Sequence, residues 1–97
     1  MRVLSRKILR EFWEKYPDVR QALQAWYTDV KHANWERPSG IKSIYQTASF
    51  ISNNRVVFNT EGNKYRVIMV IDYHFGAAYI RFVGTHQEYD RINAETI

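Results

Sequence analysis

The sequence predicts an α+β domain. Two amphipathic helices come early, a small antiparallel sheet follows, and a short helix closes the chain. Three observations predict it. Apolar residues recur at helical spacing through the first third. Pro17 breaks that pattern into two pieces. From Arg55 onward the pattern becomes strand-like, punctuated by two polar turns.

Met1–Leu4 reads as a short first strand. Ser5 then caps a helix over Arg6–Tyr16, whose Ile8, Leu9, Phe12 and Tyr16 fall on one face with Trp13 beside them. After Pro17, Asp18 is the expected N-cap of a second helix, and Gln21 completes a capping box. Val19, Ala22, Leu23, Trp26 and Val30 form its stripe, so the two helices make a hairpin lying on a sheet. The segment 31–40 is irregular and holds Trp35, a loop anchor or a partner contact. Ser39 caps a short helical turn through Tyr45. Gln46–Asn54 reads as loop with an extended piece at Ala48–Ile51.

Arg55–Asn59 is the next strand, and Thr60–Asn63 is a turn in which Gly62 supplies positive φ. Lys64–Tyr73 is expected to be the longest strand. His74–Gly76 turns the chain into a last strand, Ala77–Gly84. Thr85 caps a final helix to about Asn93, with Glu88 at the capping-box position. No repeat or linker interrupts the chain, so residues 1–97 form a single domain.

Alternation sorts the strand faces. Tyr65, Val67, Met69 and Ile71 share one face of the long strand. Lys64, Arg66, Ile68 and Val70 share the other. In the last strand Tyr79, Arg81 and Val83 are expected together, opposite Ile80 and Phe82. One face meets the helices. The other has an apolar middle with Lys64, Arg66 and Arg81 towards one end.

The chain carries a net charge of +4 and a pI of about 9.5, which suits either an ordinary basic protein or one that meets nucleic acid or an acidic partner. It has no cysteine, which excludes disulfides and thiolate metal sites and fits a reducing cytoplasm. The longest apolar run, Val67–Ile71, is too short to span a bilayer, and no apolar leader follows the charged start. The aromatic fraction of 15% supports a packed core, so Phe12, Trp13, Trp26 and Tyr27 read as core rather than a stacking platform.

Two constellations carry possible chemistry. Lys64, Arg66 and Arg81 are cations on one sheet face. Arg presents a fork that suits phosphate oxygens, and Lys a point charge. The competing reading is a solvated face with ion pairs to Glu61 or Asp72. His86, Tyr89 and Asp90 form the second. On a helix starting after Thr85 they sit at i, i+3 and i+4 and share a face. His transfers protons near neutrality, Asp orients an imidazole, and Tyr stacks on a base. The competing reading is helix capping with Tyr89 in the core. His32, His74 and His86 are scattered without ligand spacing, so no metal or other cofactor is expected.

The segments FWEKYPD, ALQAWY, NWERPSGIKSIY, VFNTEGNKYRVIMVIDY and AYIRFVGTHQEYDRI resemble the HigB-type toxins of bacterial type II toxin–antitoxin modules, within the RelE-like superfamily. The likeness covers essentially the whole chain. It implies two helices on a curved antiparallel sheet. It also implies a metal-independent mRNA interferase that cuts mRNA in the ribosomal A site by attack of a ribose 2′-OH on the adjacent phosphate. The implied partner is a HigA-like helix-turn-helix antitoxin, through which alone the toxin would meet operator DNA.

Position by position, the resemblance carries over Asn63, Lys64 and Arg66 in GNKYR, Arg81 in YIR, and His86, Tyr89 and Asp90 in THQEYD. Arg66 and Arg81 would neutralise the scissile phosphate, with Asn63 also on substrate. Lys64 would assist or activate the attacking hydroxyl. His86 would transfer the proton, oriented or aided by Asp90, while Tyr89 stacks or braces. Two other readings stand beside this one. One is a ParE-like gyrase-inhibiting toxin. The other is a non-toxic basic module that binds RNA or protein.

Overall fold

Why the early helices form is plain from their buried stripes. In a computed structural model describing residues 1–60 and 64–97, α1 spans Arg6–Lys15 and buries Leu9, Phe12 and Trp13. Helix α2 spans Arg20–His32 and buries Leu23, Trp26 and Val30. These stripes meet Phe58, Tyr65, Val67, Met69, Ile71 and Ile80 of the sheet in one core. Trp26 packs edge-on against Phe58. Trp35 is buried and packs edge-on against Tyr45, so it is a loop anchor. No helix among the described residues is long and apolar enough to cross a membrane.

The sheet has five strands in the order β1-β5-β4-β3-β2, with β1 Arg2–Leu4, β2 Ser49–Ile51, β3 Arg55–Thr60, β4 Tyr65–Asp72 and β5 Ala77–Thr85. The longest strand is β5 rather than β4. The meander β3-β4-β5 is antiparallel, as expected, and the helices lie on one face. The expectation of an all-antiparallel sheet is corrected at its edge, because β1 pairs parallel to β5. The strand precedes both helices and returns alongside the last strand, a pairing no local signal announces. The extended piece near Ile51 becomes β2. It pairs with β3 through a tight turn in which Asn53 and Asn54 take positive φ, a conformation Asn tolerates.

Several expected boundaries move. Ser5 stands at the N-cap of α1 but takes φ 68° and makes no capping bond. Asp18 does not cap α2, which begins after a 3₁₀ turn at Pro17–Val19. The third helix, α3, spans Pro38–Ile44 and starts one residue before Ser39, with Pro38 in its favoured first-turn place. The final helix α4 is only His86–Tyr89. Beyond it the Asn93 side chain accepts from the Glu95 amide at 3.0 Å, a local turn that competes with helix. The expected turn at Thr60–Asn63 falls on residues 61–63, outside the described residues.

One irregularity re-aims the last strand. Ile68 pairs with Phe82 but Met69 pairs with Ile80, so Arg81 is an extra residue in β5. The bulge shifts the alternation. Ile80 and Val83 both enter the core, and Val83 does not share a face with Tyr79. On the face away from the helices, Val57 and Ile68 are nonetheless buried. The segment after α4 crosses that face: Glu95 accepts from Asn53, and Ile97 accepts from Arg55 and Arg81.

Candidate active site

The site is built where β5 runs into α4 with no intervening residue. Thr85 ends the strand and caps the helix. Its hydroxyl accepts from the Glu88 amide at 3.2 Å, and the Glu88 carboxylate accepts from the Thr85 amide at 2.9 Å. This reciprocal cap is worth ~1 kcal/mol. The His86 amide donates to the Lys64 carbonyl at 3.2 Å, extending the β4–β5 ladder by one bond. The first turn of α4 is thus fixed to the sheet at both the cap and the ladder.

That anchoring places His86 Nδ1 3.0 Å from Asp90 Oδ2, one turn apart. Asp90 keeps helical backbone angles although the helix has ended, so the i, i+4 relation survives. Both side chains are about half exposed. A carboxylate oxygen at this distance from Nδ1 can orient the imidazole and leave Nε2 for another partner.

Arg66 comes from β4, directly across from Gly84. Its guanidinium lies 4.6 Å from the centroid of the Tyr89 ring. Its Nε is buried and has no hydrogen-bond partner among the described residues. Gly84 keeps this corner open. A Cβ there would clash with Phe82 Cζ and lie 3.2 Å from Glu88 Cβ. The Phe82 ring therefore lies over the glycine, and α4 approaches closely. Sequence reasoning passed over both residues. The signal available was a glycine inside a strand, two places after an aromatic residue.

The Lys64 side chain turns to a partner outside this group. Its ammonium sits 3.0 Å from Asp18 Oδ2, and the Tyr65 hydroxyl donates to the same carboxylate at 3.0 Å. Lys64 and Tyr65 together hold the Asp18 carboxyl below its ordinary range, Lys64 foremost. Asp18 in turn raises the Lys64 ammonium. Burial, and then Asp18, raises the Tyr65 hydroxyl. The expectation of three cations on one open face is thus corrected for Lys64, which is paired to Asp18 rather than Asp72; Glu61 lies outside the described residues. Arg81 donates through Nε to the Ile97 oxygen at 3.3 Å. Asn63 lies outside the described residues.

The structure therefore brings together Arg66, Tyr89, His86 and Asp90. His32 and His74 are elsewhere, one bonded to the Thr28 carbonyl and the other against Phe75. Among the described residues no three His, Asp or Glu side chains gather as metal ligands. A cation, an imidazole and a carboxylate on a rigid corner can bind a phosphate and move a proton beside it.

Fold and charge define a small basic α+β domain with Arg66, Tyr89, His86 and Asp90 gathered at one end of its sheet. The model of the HigB toxin family, described as the RelE-like toxic component of a toxin–antitoxin system, matches residues 19–92, and the chain belongs to that family. Among its relatives is the mRNA interferase toxin HigB of Escherichia coli (strain K12), 29% identical over 96 residues, or 97% of this chain and 92% of the relative. The mRNA interferase HigB of Shigella flexneri matches to the same extent. That of Escherichia coli O6:H1 is 24% identical over 94 residues, covering 95% of this chain and 91% of the relative.

Proposed function

We propose that this protein is a ribosome-dependent mRNA endoribonuclease that arrests translation as the toxin of a type II toxin–antitoxin pair. The observation that carries the reading is the His86–Asp90 pair on the same short turn as Tyr89, against which Arg66 packs. A pure binder has no need of an oriented imidazole beside a cation. The names of the relatives, mRNA interferases all, support the same activity.

The reaction is transfer within the RNA. His86 Nε2 takes the proton from a ribose 2′-OH, whose oxygen attacks the adjacent phosphorus. The bond to the 5′-oxygen of the next nucleotide breaks, that oxygen takes a proton from water, and His86 returns its own proton to solvent. The products are a 2′,3′-cyclic phosphate and a 5′-OH. Arg66 stabilises the charge that grows on the non-bridging oxygens. Tyr89 holds Arg66 in place and offers a face to a base. Arg81 and Asn63 contact the substrate backbone. Lys64 assists from its exposed pair with Asp18, a weak pair that an incoming phosphate can outbid.

The mRNA would be met in the ribosomal A site, in the cytoplasm. A HigA-like helix-turn-helix antitoxin would hold the toxin inactive and carry it to operator DNA.

The test is primer extension on a reporter mRNA after brief induction, comparing wild type with His86→Ala and a reporter lacking its start codon. Cuts should require both translation and His86. Arrested growth without any cut would sink the nuclease reading and favour gyrase as target.

A further inference from the structure

A second convergence of cations lies on the open face of the sheet, apart from His86 and Asp90. Arg55 begins β3 and Arg81 is the bulge residue of β5, with β4 between them. No local sequence relation brings them together. Yet both guanidinium groups reach one atom, the backbone oxygen of Ile97. Arg55 Nη2 lies 2.5 Å from it and Arg81 Nε 3.3 Å. Asn53 Nδ2 holds the same segment through the Glu95 carbonyl at 3.0 Å. Arg55 Nε is buried with no partner among the described residues.

Two guanidinium forks aimed at one oxygen form the arrangement that recognises a phosphate oxygen. The place suits a nucleic acid strand. Arg55 pairs with Val70, four residues along β4 from Arg66, or ~13 Å at strand spacing. Phe82 adjoins Arg81, and Tyr79, on the same face, is 41% exposed. Cations alternating with aromatic rings suit single-stranded RNA, whose phosphates and bases both need contacts.

Resting on the nuclease reading above, we propose that Arg55 and Arg81 form a second phosphate-binding subsite for the RNA strand that passes Arg66. The Ile97 oxygen stands where a phosphate oxygen goes, and the segment over this face moves aside when RNA binds. Arg55 is thereby a substrate-positioning residue.

The experiment is anisotropy with a short RNA that is 2′-O-methylated throughout and so cannot be cut, titrated at several salt concentrations. The full-length wild type is compared with Arg55→Gln, Arg55→Lys, Asn53→Gly and, as a charge control, Lys7→Gln. Arg55→Gln should weaken binding roughly tenfold and lower the salt slope by about one. Arg55→Lys should keep the slope. Lys7→Gln, on the exposed face of α1, should change neither. Asn53→Gly keeps the positive φ but frees the crossing segment, and should tighten binding about two- to threefold by removing a competitor. It also controls for any loosening that Arg55→Gln causes. A wild type that cuts translated mRNA while Arg55→Gln changes neither affinity nor slope would overturn the subsite and leave the nuclease reading intact. A wild type that neither binds this RNA nor cuts mRNA would overturn both.

Discussion

Arg66 packs its guanidinium 4.6 Å from the centroid of the Tyr89 ring, and this contact couples the central strand to the helix that carries His86. The ring face holds the cation, and among the described residues no carboxylate pairs with it. Arg66→Ala should lower cleavage by ~10²–10³-fold, the scale for losing one preorganised charge contact in a transition state. The fold should survive, because Arg66 is only partly buried. Leu23→Ala, at a fully buried core position, should instead cost about 2–5 kcal/mol. Thermal melts beside cleavage assays separate the two. An Arg66→Ala melt as depressed as that of Leu23→Ala would make Arg66 structural.

In the proposed mechanism Asp90 acts through His86, whose Nδ1 lies 3.0 Å from Asp90 Oδ2. Asp90→Asn keeps the size but can hold the imidazole in the wrong tautomer. Single-turnover cleavage should slow by roughly 10–100-fold, the range for loss of such an orienting partner. Binding of uncleavable RNA should barely change. Equal losses in binding and rate would place Asp90 in substrate binding instead.

The Asp18 carboxylate accepts from both Lys64 and Tyr65, and Lys64 chiefly holds its pKa below the ordinary value. The sign follows from linkage. A lowered folded pKa gives stability above the unfolded value, and that stability is lost as pH falls through the folded one. Urea melts of wild type and Asp18→Asn should differ at neutral pH and converge below about pH 4. Both side chains of the ion pair are more than half exposed, so the difference is small and shrinks in salt. A gap that stays constant down to acid pH would remove Asp18 ionisation from the account.

Periodicity made the helix stripes and the meander legible, because Leu9, Leu23 and Val67 each obey a local rule. The pair of His86 with Asp90 was legible for the same reason, being four residues apart on one turn. What escaped was non-local. The partner that takes Lys64 lies 46 residues away. Arg81 is an extra residue that no glycine or proline marks, so alternation put Val83 on the wrong face. The parallel place of β1 depends on where both helices return the chain. The segment that bonds to Asn53, Arg55 and Arg81 has no periodicity to announce it.

Gly84 tests how tightly the corner is built. It stands opposite Arg66, beneath the Phe82 ring and against Glu88. Gly84→Ala puts a methyl into Phe82 Cζ, so the ring must swing away. Overpacking of this sort costs about 1–3 kcal/mol. The Glu88 contact at 3.2 Å also pushes α4, and with it His86 and Tyr89, off the strand. Cleavage should therefore fall more than stability does, since small misplacements at a reacting centre cost ~10²-fold. Gly84→Ala with Phe82→Ala removes the clash with the ring but leaves the push on α4. The double variant should regain stability and not activity. Recovery of both would put the fault in the ring alone, and recovery of neither would show that the strand itself needs glycine.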